Sequence, residues 1–133
     1  MRAIPEHQIS AFLANTPGVV ANLCATLAER GVNIKAIMVM DTVDVGTVRM
    51  VVDNLSIAKE ALTDAGAAYV EVPVIAVPIP NQPGSFAKFA RTLANAKINI
   101  EYFYATATPG TETTLGIFRV SDHKAALELE FEV

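Results

Sequence analysis

Two short stretches of this chain combine residue types that could hold a small charged ligand. Asn15-Thr16-Pro17-Gly18 and Asn81-Gln82-Pro83-Gly84 each join an amide side chain to a Pro-Gly turn. Asn carries a donor and an acceptor on one short side chain. Pro fixes φ, and Gly lets the backbone approach another group closely. A helix that starts directly after such a turn has first N–H groups without helical partners, backed by the helix dipole. That combination favours an anion such as a carboxylate. In the first stretch these groups belong to Gly18, Val19 and Val20, and in the second to Gly84, Ser85 and Phe86. Asn33 and Asn99 add an amide downstream of each turn. A zwitterionic amino acid needs donors for its carboxylate and acceptors for its ammonium, and this set carries both. The competing reading is purely structural: Asn-x-Pro-Gly is a good turn and helix cap, and Asn33 and Asn99 are good turn formers.

No other constellation points to chemistry. No nucleophile stands with a base, no pair of carboxylates stands out, and neither GxGxxG nor GxxxxGK[ST] occurs, so no catalytic residue is assigned and an enzyme is not expected. Cys24 falls on an apolar helical stripe, where an inert buried thiol is expected. His7 and His123 are far apart, so neither a metal site nor a cofactor is expected.

The elements that must position the turns come in two copies. The stretch after Asn15 keeps its register with the stretch after Asn81: Thr26-Leu27-Ala28 meets Thr92-Leu93-Ala94, and Val32-Asn33-Ile34 meets Ile98-Asn99-Ile100. The copies are read as 1–71 and 72–133, joined without a linker. In the first, 8–14 reads as a strand, and Val20, Leu23, Cys24 and Leu27 mark an amphipathic helix ended by Gly31. A strand over 34–41, a turn at 43–46 and a strand over 47–52 form a hairpin. Ser56 is expected to cap a second helix, which Gly66 ends before a strand over 68–72. The order βαββαβ is the ferredoxin-like split unit, so the fold class is α+β with two tandem units and antiparallel sheets paired side by side. In the second copy, 74–79, 85–96, 100–108 and 113–120 repeat strand, helix, strand, strand around a turn at 108–111. Two helical turns over 121–127 then leave 128–133 for a short fourth strand. Met38, Met40, Tyr102 and Tyr104 alternate on strands, where an open face or a ligand rim would form.

Composition narrows the partners. The chain has 133 residues, 52 % of them hydrophobic and 18 % charged, with a net charge of −4. That charged share is below the roughly 25 % of an average soluble protein, so part of the surface is expected to be buried against another chain. No basic cluster exists to displace counterions from nucleic acid. No stretch reaches the roughly 18 apolar residues of a membrane span. The single cysteine and the lack of a signal peptide's apolar core point to a reducing, cytoplasmic setting.

The segments 15–20 and 27–34, and again 81–86 and 97–100, resemble the ACT domain family over nearly the whole chain, as a tandem pair with no attached enzyme. The resemblance implies an allosteric regulatory protein that binds an amino acid or similar small ligand at the turns, near a domain or subunit interface. It implies a homodimer, a separate metabolic enzyme as a possible partner, and neither nucleic acid nor membrane. In serine-responsive members the two Asn positions contact the ligand, which carries to Asn15, Asn33, Asn81 and Asn99. Backbone contacts of the turn carry to Gly18, Val19, Gly84 and Ser85. Pro17, Ile34, Gln82 and Ile100 complete the candidate set. Some members have a polar contact two residues before the first Asn, where this chain has Leu13 and Ile79. The alternative is an interaction module that regulates an enzyme subunit without any ligand.

Overall fold

A computed structural model of the chain describes residues 1–41, 45–106 and 109–132. Val43 and Asp44 of the first expected turn, Thr108 of the second, and Val133 lie outside them. The elements run β1 (Ile4–Ala14), α1 (Val19–Glu29), β2 (Ile34–Asp41), β3 (Val45–Val52), α2 (Leu55–Asp64), β4 (Ala68–Pro80), α3 (Ser85–Asn95), β5 (Ile100–Ala105), β6 (Thr113–Val120) and α4 (His123–Glu128). The two expected strands over 68–72 and 74–79 are one strand of 13 residues. Pro73 sits within it without an N–H to offer, and its carbonyl accepts a hydrogen bond from Arg119 Nη1 at 2.9 Å.

Packing divides the chain into His7–Val72 and a second unit made of Met1–Glu6 with Pro73–Val133. The division departs from the sequence repeat at the N-terminus, where residues 1–6 group with the second half. In the first unit the strand order is β2-β3-β1-β4. β1 and β3 pair antiparallel from Ile9↔Met50 to Ala14↔Val45, and β2 and β3 from Ile34↔Val52 to Asp41↔Gly46. Opposed residues share a face. Ile9, Ala11, Val48 and Met50 therefore meet Leu23 and Leu27 of α1 and Ala58, Ala61 and Leu62 of α2 in one buried cluster. Cys24 is half-buried rather than enclosed.

In the second unit the order is β1-β4-β6-β5, with Ile75↔Phe118 to Pro80↔Thr113 and Ile100↔Val120 to Ala105↔Gly116. Its core joins Ile75, Val77 and Ile79 to Phe89, Leu93, Phe118 and Val120, with Ala3, Ala126 and Phe131. The short strand expected over 128–133 is not formed: α4 runs to Glu128 and 129–132 are irregular. The place beside β4 is filled by the start of β1. Phe131 instead turns inward, stacks on Phe89 with ring centroids 4.9 Å apart, and donates its N–H to the Met1 carbonyl at 2.7 Å. A buried ring serves this core better than an alternating acidic edge strand would.

The cap of α2 also differs from expectation. Asn54 is the N-cap and its side chain accepts from Ile57 N–H at 3.2 Å, while Ser56 is already inside the helix. Asp122 does the same for α4, accepting from Ala125 N–H at 3.0 Å. On the surface, the Lys59 ammonium donates to Glu71, and His7 Nδ1 lies 3.8 Å from the other carboxylate oxygen. The hydrogen bond from Lys59 holds the Glu71 carboxyl below its ordinary range and raises the Lys59 ammonium in turn.

Asn54→Ala is expected to lower stability by about 1 kcal/mol, the usual worth of a cap, and Ser56→Ala to stay within about 0.5 kcal/mol; urea denaturation midpoints check both. Because Glu71 titrates lower folded than unfolded, its contribution is present above the ordinary carboxylate range and is lost as pH falls from that range through the lower folded value. Wild type and Glu71→Gln should therefore differ slightly in thermal midpoint at neutral pH and converge in acid.

Candidate functional site

Both Asn-x-Pro-Gly turns form the same backbone corner between a strand and a helix. Gly18 and Gly84 are the N-caps of α1 and α3, with left-handed φ of 90° and 86° and no side-chain cap hydrogen bond. The N-cap position thus falls on a glycine, three residues after each Asn. Asn81 has another role in the second unit: its Nδ2 donates to Thr111 O at 3.1 Å and its N–H to Glu112 O at 2.8 Å. These bonds tie the turn to the connection between β5 and β6. The expected outward N–H groups at Val19 and Ser85 are instead turned onto the corner itself, donating to Thr16 O at 3.4 Å and Gln82 O at 3.3 Å. Such long bonds are weak.

Asn33 and Asn99 are not brought to the turn of their own unit. Asn15 precedes α1 and Asn33 follows it, so the helix's 11 residues separate them by about 16 Å at 1.5 Å per residue. The sheet agrees: Ala14 faces Val45 at one end of β3, and Ile34 faces Val52 at the other. Asn33 N–H donates to Asp53 Oδ1 and its carbonyl accepts from Asp53 N–H, at 2.9 and 3.1 Å. Asn99 makes the same pair with Ser121, at 2.9 Å for each bond. Asn81, Gln82, Gly84 and Ser85 stay together at one end of the second unit, and Asn99 and Ile100 stand at the other.

A cavity of about 300 Å³ opens at the second turn, lined by Asn81, Gln82 and Ser85 together with Phe86, Phe103 and Thr114. A cavity of about 350 Å³ lies by the first turn, but between α1 and the end of α2, where Phe12, Leu13, Asn22, Leu23 and Ala67 line it and Val19 is its one candidate residue. The two units differ in what surrounds the corner. Phe103 opposes Phe118 where Ile37 opposes Met50, and Gly116 opposes Val77 where Val48 opposes Ala11. Phe86 stacks on Phe103 with centroids 4.4 Å apart, and Phe103 lies 4.6 Å from Phe118. The rings fit because Gly116 has no side chain: a Cβ there would stand 2.6 Å from Ile79 Cδ1 and 3.0 Å from Phe118 Cε2.

Phe103 was missed from sequence because strand alternation places Tyr102 and Tyr104 on the face of Ile100. A bulge between Ile100 and Tyr102 reverses the phase, so that Phe103 and Ala105 share that face. The same bulge between Ile34 and Ala36 sets Ile37 and Val39, rather than Met38 and Met40, opposite Met50 and Val48, although both stay exposed. The findable signal was Phe86, two residues past the turn, whose ring stacks on Phe103 of β5.

A duplicated ferredoxin-like chain whose two repeats each turn from strand to helix through Asn-x-Pro-Gly is the class that these features define. The chain belongs to the family described as the ACT domain pair, whose model matches residues 4–132. No curated protein sequence matches it. Among solved structures, a protein of Bacteroides thetaiotaomicron is similar over 95 % of this chain and 86 % of its own, at 28 % identity and a TM-score of 0.87. The ligand-free regulatory subunit of aspartate kinase from Thermus thermophilus shares the fold over 96 % of this chain and 93 % of its own, at 23 % identity and a TM-score of 0.67. That from Thermus flavus does so over the same shares, at 23 % identity and 0.62. Among the described residues, no cluster of three His, Cys, Asp or Glu could hold a metal, and no helix is long and apolar enough to cross a membrane.

Gly116→Ala is expected to cost about 1–3 kcal/mol, as overpacking does, and to displace the rings lining the cavity. Denaturant unfolding together with the near-ultraviolet dichroism of the phenylalanines checks both effects.

Proposed function

We propose that this chain is a regulatory protein that binds an amino acid or a similar small ligand at its Asn-x-Pro-Gly corners. The observation that carries this reading is the cavity at the second corner, where Asn81, Gln82 and Ser85 meet. Its volume is at the lower end of the roughly 300–1,000 Å³ of small-molecule sites. Apolar walls with a few polar groups are the usual make-up of such sites. The regulatory subunits of aspartate kinase with this fold support a role in controlling a separate enzyme.

Each of Asn33 and Asn99 stands at the far end of its unit from the turn, so a ligand contact from either is made at a turn of another unit or of a second copy of the chain. A homodimer gains support from β2, an edge strand of its unit that leaves Ile37 41 % and Val39 54 % exposed. An open edge with apolar side chains invites pairing with another chain. The same surface would also serve a ligand-independent interaction module, which is the second reading.

Titration calorimetry of the full chain against the twenty amino acids separates the two readings. Heat from at least one of them at up to millimolar concentration, weakened several-fold by Asn81→Ala, is the expected result. No heat and no thermal shift from any of them would leave the interaction module.

A further inference from the structure

β2 ends its sheet and pairs with β3 alone, so among the described residues no strand lies along its outer side. Its sequence is Ile34-Lys35-Ala36-Ile37-Met38-Val39-Met40-Asp41. One base and one acid therefore stand three residues to either side of Met38, with only apolar residues between them. Ile37 and Val39 share the face of Met50 and Val48, which the helices cover, yet remain largely exposed. A lysine on an edge strand ordinarily keeps other strands away, because pairing would strip water from its charge. The helix above this edge raises no such barrier. Val19, Asn22, Leu23 and Thr26 line the cavity between α1 and the end of α2. With about 3.6 residues per turn, the opposite flank of α1 bears Ala21, Cys24 and Ala28, all small and uncharged. The other edge of the sheet is different. β5 has Glu101 where β2 has Lys35, and it carries no basic residue.

We propose that β2 pairs antiparallel with β2 of a second copy of this chain, about a two-fold axis at Met38. With the helices of both copies on one side of the joined sheet, opposed residues share a face, so the axis passes through a residue. At Met38 the pairing is self-complementary. Lys35 opposes the partner's Asp41, Ala36 the partner's Met40, and Ile37 the partner's Val39, and each pair occurs twice. An axis at Ile37 would set Lys35 against the partner's Val39. An axis at Val39 would set Asp41 against the partner's Ile37. Either leaves a charge against an apolar side chain without a counter-charge. The bulge falls at Lys35, so its flexible stem rather than the pleat aims the ammonium. The same lysine that turns other strands away thus accepts a strand with an acid at the matching place. Two β5 strands would bring Glu101 no base. This inference rests on the homodimer of the reading above, and fixes which strand joins the copies and in what register.

The test is light scattering of the full chain during gel filtration, which should give the mass of two chains. Val39→Asp, at an exposed position, should give a monomer with an unchanged far-ultraviolet dichroism spectrum. Lys35→Glu and Asp41→Lys should each weaken the dimer by about tenfold or more, since each turns two opposite-charge pairs into like-charge pairs. The two together should restore it to within about threefold of the wild type. Glu101→Lys on β5 serves as the unchanged control. Met38→Cys in a Cys24→Ser background should cross-link two copies in oxidised glutathione, because directly opposed strand residues lie within disulfide reach. Met40→Cys in that background should not. A dimer that survives Val39→Asp, charge reversals that fail to rescue each other, or cross-linking at Met40 in place of Met38 would each overturn this inference and leave a homodimer through another surface. A chain that stays monomeric at submillimolar concentration would overturn the homodimer and this inference with it, while ligand binding is decided separately by the calorimetry.

Discussion

A single extended strand, β4, is the constraint on which the rest of the chain depends. It closes one βαββαβ repeat and opens the next without a break over Ala68–Pro80. Every backbone N–H and C=O in a sheet interior needs a partner, and β4 has neighbours on both sides, β1 and β6. Sharing one strand in this way leaves the second repeat without a fourth strand from its own end. The chain's first residues fill that place, and the C-terminal residues are released to other work. Phe131 then becomes a core ring against Phe89 instead of an edge residue.

The corner at the end of β4 inherits its position from this arrangement. Gly84 turns the chain in the left-handed region, α3 starts at once, and Asn81 anchors the turn to the β5–β6 connection. The corner at Gly18 has nearly the same backbone. What separates them is the surroundings. The backbone pairs Asn33 with Asp53 and Asn99 with Ser121, at separations of 20 and 22 residues, so the second hairpin is longer by two. In the second unit, Phe86 of α3 packs with Phe103 and Phe118 of the strands over a glycine, where the first unit carries aliphatic side chains. Duplication thus preserved the turn while the packing beside it diverged, and among the described residues Ser85, with its buried hydroxyl, lines a cavity at the second turn.

Much of this was legible in the residues. The in-register repeat, the Pro-Gly corners and the helical stripes led to a paired ferredoxin-like fold, because period and turn chemistry are local properties. The candidate site was legible only in part. Asn81, Gln82 and Ser85 do meet at a cavity, because they are neighbours along the chain. The grouping of Asn33 with Asn15 rested on chemistry rather than distance, and a helix of three turns stands between them. The aromatic wall stayed hidden because a single bulge moves every later side chain of β5 to the other face. The cap at Asn54 rather than Ser56 is a shift of two residues that spacing alone does not resolve.

Sequence by itself determined the family, the duplicated element order and the two strand-to-helix corners, since each is written in residues close together along the chain. Tertiary structure decided which strand is shared, which residues complete the second sheet, and that Phe103 faces the turn through a register that Gly116 makes possible. It also decided that Ser85 Oγ is enclosed without a partner. Those outcomes depend on which distant side chains compete for the same space, and burial of a hydroxyl is settled only when all its neighbours are in place.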